Sequence, residues 1–135
     1  MTTEADLQIQ VADYLRLQYP DVVFHSDFGS GIKLSMRQAA RQKRMNGGWR
    51  AFPDMFIAKP ILGFDKDKQP FYKHGLFIEL KREGTRILKR DGSYVADKHI
   101  REQAQMLEHL CRLGYVACFA VGFDQAKQII DNYLK

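Results

Sequence analysis

The chain has 135 residues, 45% of them hydrophobic and 27% charged, with a formal net charge of +5. That is globular composition in a chain long enough to bury a core, so a disordered tail and a disulfide-stapled mini-protein are excluded and one domain over residues 1–135 is expected. Cys111 and Cys118 lack metal-ligand spacing and read as core residues of a cytoplasmic protein. The four histidines form no zinc pattern, and neither a signal peptide nor a bilayer-length apolar run is visible.

Thr3 is a good N-cap for a helix running to about Tyr19, with acidic residues in its first turn. Leu7, Val11, Tyr14, Leu15 and Gln18 make its inward stripe, and Glu4 falls on the same side. The plain role for Glu4 is a favourable interaction with the helix dipole, worth roughly 0.3–1 kcal/mol. The functional role is a lean toward an acidic site. Tyr19-Pro20-Asp21 ends the helix, and Val22–His25 reads as a short strand. Gly29-Ser30-Gly31 is a loop, but no Gly-Lys-Ser/Thr follows, so it is no Walker-type phosphate loop. Ser35 then caps a helix over Met36–Met45 that ends at Asn46-Gly47-Gly48. Lys33 and the helix's Arg37, Arg41 and Arg44 form a candidate phosphate-contacting surface. Six basic and no acidic residues lie between Gly29 and Pro53, which suits a polyanion or, more plainly, a solvated basic face.

A second strand is expected over Asp54–Ala58, followed by a loop from Lys59 to His74. Asp65 and Asp67 in that loop lack the remaining ligands and glycine of a calcium loop. The third strand, Gly75–Lys81, alternates: Leu76, Ile78 and Leu80 face one way, and Phe77, Glu79 and Lys81 the other. If strands two and three pair, the Asp54 carboxylate approaches the Glu79–Lys81 face. Two carboxylates and a lysine there would suit a divalent cation and phosphodiester hydrolysis. By itself a Glu-x-Lys triplet is common on the wet face of a strand.

After Lys81 the segment Arg86–Arg90, Asp91-Gly92, Ser93–Val95 carries a hairpin signal. Arg82, Arg86, Lys89 and Arg90 make it a basic ribbon able to meet a phosphate backbone. The next helix, about Asp97–Leu113, places Gln103 within an apolar stripe of Ile100, Leu107 and Leu110. A buried glutamine needs partners, either core groups or a site it helps to orient. Gly114 ends this helix. Tyr115–Val121 reads as a strand buried on both faces, and Asp124 as the cap of a last helix with Ala126, Ile129, Ile130 and Tyr133 inward. The strand–helix–strand step requires a parallel pair within a meander, hence an α/β fold with a mixed sheet flanked by helices.

The order Glu4, Pro53-Asp54, Glu79-x-Lys81 and helix-borne Gln103 resembles the PD-(D/E)xK nuclease superfamily and, within it, a stand-alone VRR-NUC domain of phages and bacteria. The resemblance spans essentially the whole chain, through Tyr19-Pro20, Gly29-Ser-Gly31, the basic helix, Gly75–Lys81, Glu102-Gln103 and Gly114-Tyr115. It implies a restriction-endonuclease-like αβββαβ core with an added basic helix and hairpin. It also implies that Asp54, Glu79 and the Leu80 backbone carbonyl ligate Mg²⁺ or Mn²⁺, with Glu4 joining through a water. Lys81 would orient or deprotonate the attacking water and stabilise the phosphorane, and Gln103 would support the site. Hydrolysis would leave a 5′-phosphate. Stand-alone members resemble Holliday-junction resolvases, which implies a homodimer, branched DNA as substrate and a place in DNA repair, with no organic cofactor and no membrane. Many relatives carry a glycine where this chain has Ala51, and alanine is expected to keep out of positive φ.

The competing expectation is a non-catalytic, structure-specific DNA-binding module on the same fold. The full acidic set with Lys81 speaks against it, because acids repel phosphate unless a cation bridges them. An RNA-directed nuclease has no RNP-type aromatic signature in its favour.

Overall fold

A computed structural model describes residues 3–27 and 34–135. Its centre is the strand expected to carry Glu79, here β5 (Leu76–Lys81 in the chain numbering), all six residues of which are buried. The elements before it are α1 (Glu4–Gln18), β1 (Phe24–Ser26), α2 (Met36–Met45), β2 (Met55–Ile57), β3 (Ile61–Phe64) and β4 (Pro70–Lys73). After it come α3 (Lys98–Arg112), β6 (Val116–Val121) and α4 (Phe123–Leu134).

The main sheet runs β1-β2-β5-β6, with β1, β2 and β5 antiparallel and β6 parallel to β5. The expected mixed α/β sheet is therefore present, with α3 as the crossover. Alternation along β5 sorts its side chains between two cores. Leu76, Ile78 and Leu80 join Leu7, Val11 and Leu15 of α1 and Ala126 and Ile130 of α4. Phe77 turns the other way, to Met106 and Leu110 of α3. The face carrying Glu79 and Lys81 is thus no wet face; α3 covers it.

The α1 cap is a capping box, with Thr3 and Asp6 satisfying each other's backbone N–H. Gln18, expected in the stripe, is exposed, because Leu7, Val11 and Leu15 already fill the contact. The far end of α1 is tied to α4 by Asp131, whose Oδ1 accepts from the hydroxyls of Tyr14 and Tyr19 at 2.6 Å each. Those two bonds hold the Asp131 carboxyl well below the usual carboxylate range.

Several expectations are corrected. Strand one begins two residues into the apolar run Val22–His25 and ends one residue after it, since Tyr19 still accepts Val22 N–H in a turn. Residues 59–74 are not a plain loop but a second, two-stranded sheet of β3 and β4, turning at Asp65–Lys68. The hairpin expected over residues 86–95 shrinks to one bridge, Leu88 to Tyr94, around the Asp91-Gly92 turn. Strand β6 is mostly half-buried, because it is the sheet's edge even with helices on both faces. Gly122, not Asp124, caps α4, and the Gln125 side chain accepts from Val121 N–H instead. Cys111 is exposed, on the outer side of α3. Ala51 adopts φ 59°, the left-handed conformation alanine was expected to avoid.

Candidate active site

Antiparallel pairing puts the start of β2 beside the end of β5: Met55 lies opposite Ile78, so Asp54 comes level with Glu79. The Asp54 side chain then turns onto the neighbouring strand, where its Oδ2 accepts from Leu80 N–H at 2.8 Å. On the α3 side, Glu79 Oε1 accepts from the Gln103 amide at 2.6 Å. Glu79, Gln103 and Lys81 are 4%, 5% and 8% exposed, so two charge-bearing side chains and the amide partner of Glu79 sit out of water. Such groups are almost never buried unless paired or held for chemistry.

Glu4 arrives from the third side. One turn along α1, Gln8 donates to Ser26 Oγ and to the Asp27 carbonyl, and Asp27 N–H donates to the Asp54 carbonyl. Positions four apart share a helix face. The start of α1 is therefore pinned beside Asp54, close enough that the Glu4 charge acts on the carboxyls of Asp54 and Glu79.

Burial is the main cause that raises the Asp54 carboxyl above its usual range; Leu80 N–H and the Lys81 charge pull against it, and Glu4 adds to the rise. Glu79 is pushed up to about 9, first by burial and then by the Asp54 charge, with Lys81 opposing. Two neighbouring carboxylates in a poor dielectric cannot both stay ionised without a compensating cation.

Two further atoms bear on whether a cation fits. Glu79 Oε2 and Gln103 Oε1 are buried and have no hydrogen-bond partner among the described residues. An orphaned carboxylate oxygen beside a second carboxylate is a hard-oxygen donor set, as Mg²⁺ or Mn²⁺ requires. Among the described residues no three acidic, histidine or cysteine side chains form a ready cage. Mg²⁺ is commonly held by one or two carboxylates and keeps its waters, so the residues present fit it.

No protein-family model matches the chain, and no curated protein matches it by sequence. A solved structure described as a "VRR_NUC domain protein" superposes with a TM-score of 0.65 at 24% identity, covering 99% of this chain and 88% of that one. The chain has a VRR-NUC fold. Within the VRR-NUC fold, Glu4, Asp54, Glu79, Lys81 and Gln103 come together at the end of the sheet where β2 begins and β5 ends.

The candidate DNA contacts lie elsewhere. Arg37, Arg41 and Arg44 are exposed on α2, no residue of which is buried. Arg82, Arg86, Lys89 and Arg90 are exposed on the segment leaving β5. Lys33 and Gly29-Ser30-Gly31 lie outside the described residues. One site neighbour escaped the sequence reading: His99 Nε2 lies 3.3 Å from Gln103 Nε2. Its position four residues before Gln103, hence on the same helix face, was the available signal. As an acceptor there, a neutral His99 would hold the second amide hydrogen of Gln103 and fix which way the amide points.

Proposed function

We propose that this chain is a metal-dependent endonuclease that hydrolyses phosphodiester bonds of DNA. The observation that carries the reading is the pairing of half-buried Asp54 with buried Glu79, whose Oε2 has no partner among the described residues, beside the buried Lys81. Asp54, Glu79 and the Leu80 carbonyl would hold Mg²⁺ or Mn²⁺, and Glu4 would join through a water. When bound, the cation supplies Lewis acidity to the scissile phosphate and lowers the pKa of a coordinated water. Lys81, two residues from Glu79 on the same strand face, would orient the attacking water and as the ammonium stabilise the phosphorane; only as the free amine would it take the water's proton. Gln103 donates to Glu79 Oε1 and so fixes the carboxylate's rotamer. The exposed arginines of α2 and of the segment after β5 would neutralise the phosphates on either side. Branched DNA and a homodimer complete the reading: a two-fold pair of sites cuts symmetric strands of a junction.

Asp54→Asn and Glu79→Gln test it. Each should lower metal-dependent cleavage by about 10²-fold or more, while DNA affinity in EDTA stays equal or improves because a negative charge has gone. A non-catalytic DNA-binding module would instead bind DNA and show no metal-dependent cleavage to lose.

A further inference from the structure

Away from the carboxylates, the segment between α2 and β2 crosses the outer face of α3 and leaves a cleft of about 480 Å³. Its floor is the indole of Trp49, 61% exposed. The indole follows two positive-φ glycines, Gly47 at 65° and Gly48 at 82°, a turn that side chains at those positions would strain. One side of Trp49 meets the His109 ring, with centroids 5.5 Å apart and planes tilted by 36°. Arg112 reaches His109 from below, its guanidinium nitrogen 3.5 Å from Nδ1. At the other end of the cleft Arg50 pairs with Glu102 at 3.8 Å. Neither the carboxylate site nor the basic helix uses this cleft.

We propose that this cleft binds an unpaired nucleotide of the nucleic acid being cut, its base stacked on Trp49 and its phosphates met by Arg50 and Arg112. The inference rests on the nuclease reading and deepens it by naming what the enzyme recognises. An open indole face flanked by guanidiniums is the pattern that holds single-stranded bases, whereas a duplex presents base edges and keeps the faces stacked. The chain from Leu34 to Pro53 contains no acidic residue, so the approach to Trp49 suits a polyanion; the acids of the cleft itself are both on α3, Glu102, which Arg50 offsets, and Glu108. Gln105 lines the same cleft and offers an amide to a base edge. The cleft is tied to the carboxylates at two points. Glu102 directly precedes Gln103, and Phe52, two residues before Asp54, packs edge-on against Phe77 of β5. A base held on Trp49 would thus lie along the strand entering the site, and a branch point supplies such a base where plain duplex does not.

Trp49 is the single tryptophan of the chain, so selectively excited tryptophan emission reports on this cleft alone. The test titrates the intact protein in EDTA with a short oligothymidylate and with a blunt duplex of matched length, following both tryptophan emission and DNA anisotropy. The oligothymidylate should quench the emission and the duplex should bind without quenching. Trp49→Ala should weaken oligothymidylate binding by roughly 5- to 150-fold, and Trp49→Phe, which keeps a ring, should recover most of it. Binding of both DNAs with no quenching, or with full affinity in Trp49→Ala, overturns the pocket and leaves the nuclease reading intact. No binding of any DNA overturns both.

Discussion

Glu79 sets the chemistry proposed for this chain against its stability. A carboxyl with a raised pKa binds its proton more tightly in the folded protein than in the unfolded chain. Stability from that group is complete below its ordinary value of 4.5 and falls as pH climbs toward about 9. Glu79→Gln removes the slope. In EDTA the variant should melt above wild type, by more at pH 8.5 than at pH 5.5, and Mg²⁺ should raise the wild-type Tm only. A pH-independent difference would mean that Glu79 is not held against ionisation. Ala51 offers a second test at this scale. Left-handed backbone costs an L-residue about 1–2 kcal/mol, and glycine's greater freedom when unfolded returns about 0.5–1 of it. Ala51→Gly should therefore stabilise by about 0.5–1 kcal/mol, read as a higher urea midpoint at unchanged slope. The period of two was enough to put Glu79 and Lys81 on one strand face, but grouping Glu4, Asp54 and Gln103 with them came from the resemblance, because strand pairing and the covering by α3 are not local. The strain at Ala51 was not legible, because φ depends on how the chain enters β2, which no local pattern records.

At the scale of elements, α2 stands apart. Ser35 and Gln38 close a full capping box at its start, yet no residue of the helix is buried, and Met36 and Met45 are 92% and 79% exposed. A polar helix of this length draws little stability from itself. Its amides should exchange quickly with solvent in the free protein and become protected when DNA is added, with α3 slow in both states. Protection of α2 already equal to that of α3 without DNA would contradict its proposed role as a DNA-contacting helix. The boundaries of α2 were readable from the Ser35 cap and the Asn46-Gly47-Gly48 stop, since capping is local chemistry. The β3–β4 hairpin was not. Gly63 and Pro70 thin out its pattern, the large side chains Leu62, Phe64 and Tyr72 stay exposed, and on the inward side of β3 only Ile61 is a hydrophobic that reaches the core, so the inward face is too small to read. The opposite error occurred at residues 86–95, where a good turn signal closed only one bridge because the flanks are short and largely exposed.

The whole molecule joins three antiparallel strands, a parallel crossover through α3 and the N-terminal helix α1 so that acidic groups far apart in sequence meet at one end of a sheet. Pairing of β2 with β5 brings Asp54 to Glu79, the crossover returns Gln103 over them, and the Gln8 contacts set Glu4 beside them. No helix among the described residues is long and apolar enough to cross a membrane. The mixed sheet was legible from the strand–helix–strand order. The buried state of Glu79 and Lys81 was not, because the covering by α3 is a tertiary fact.

The most direct test is cleavage of a labelled four-way junction beside a matched linear duplex, by wild type and Asp54→Asn, in Mg²⁺, Mn²⁺ and EDTA. Symmetric nicking of the junction that needs metal and is lost in Asp54→Asn is the predicted result. Failure of well-folded wild type to cut either DNA in any of the three conditions would contradict it.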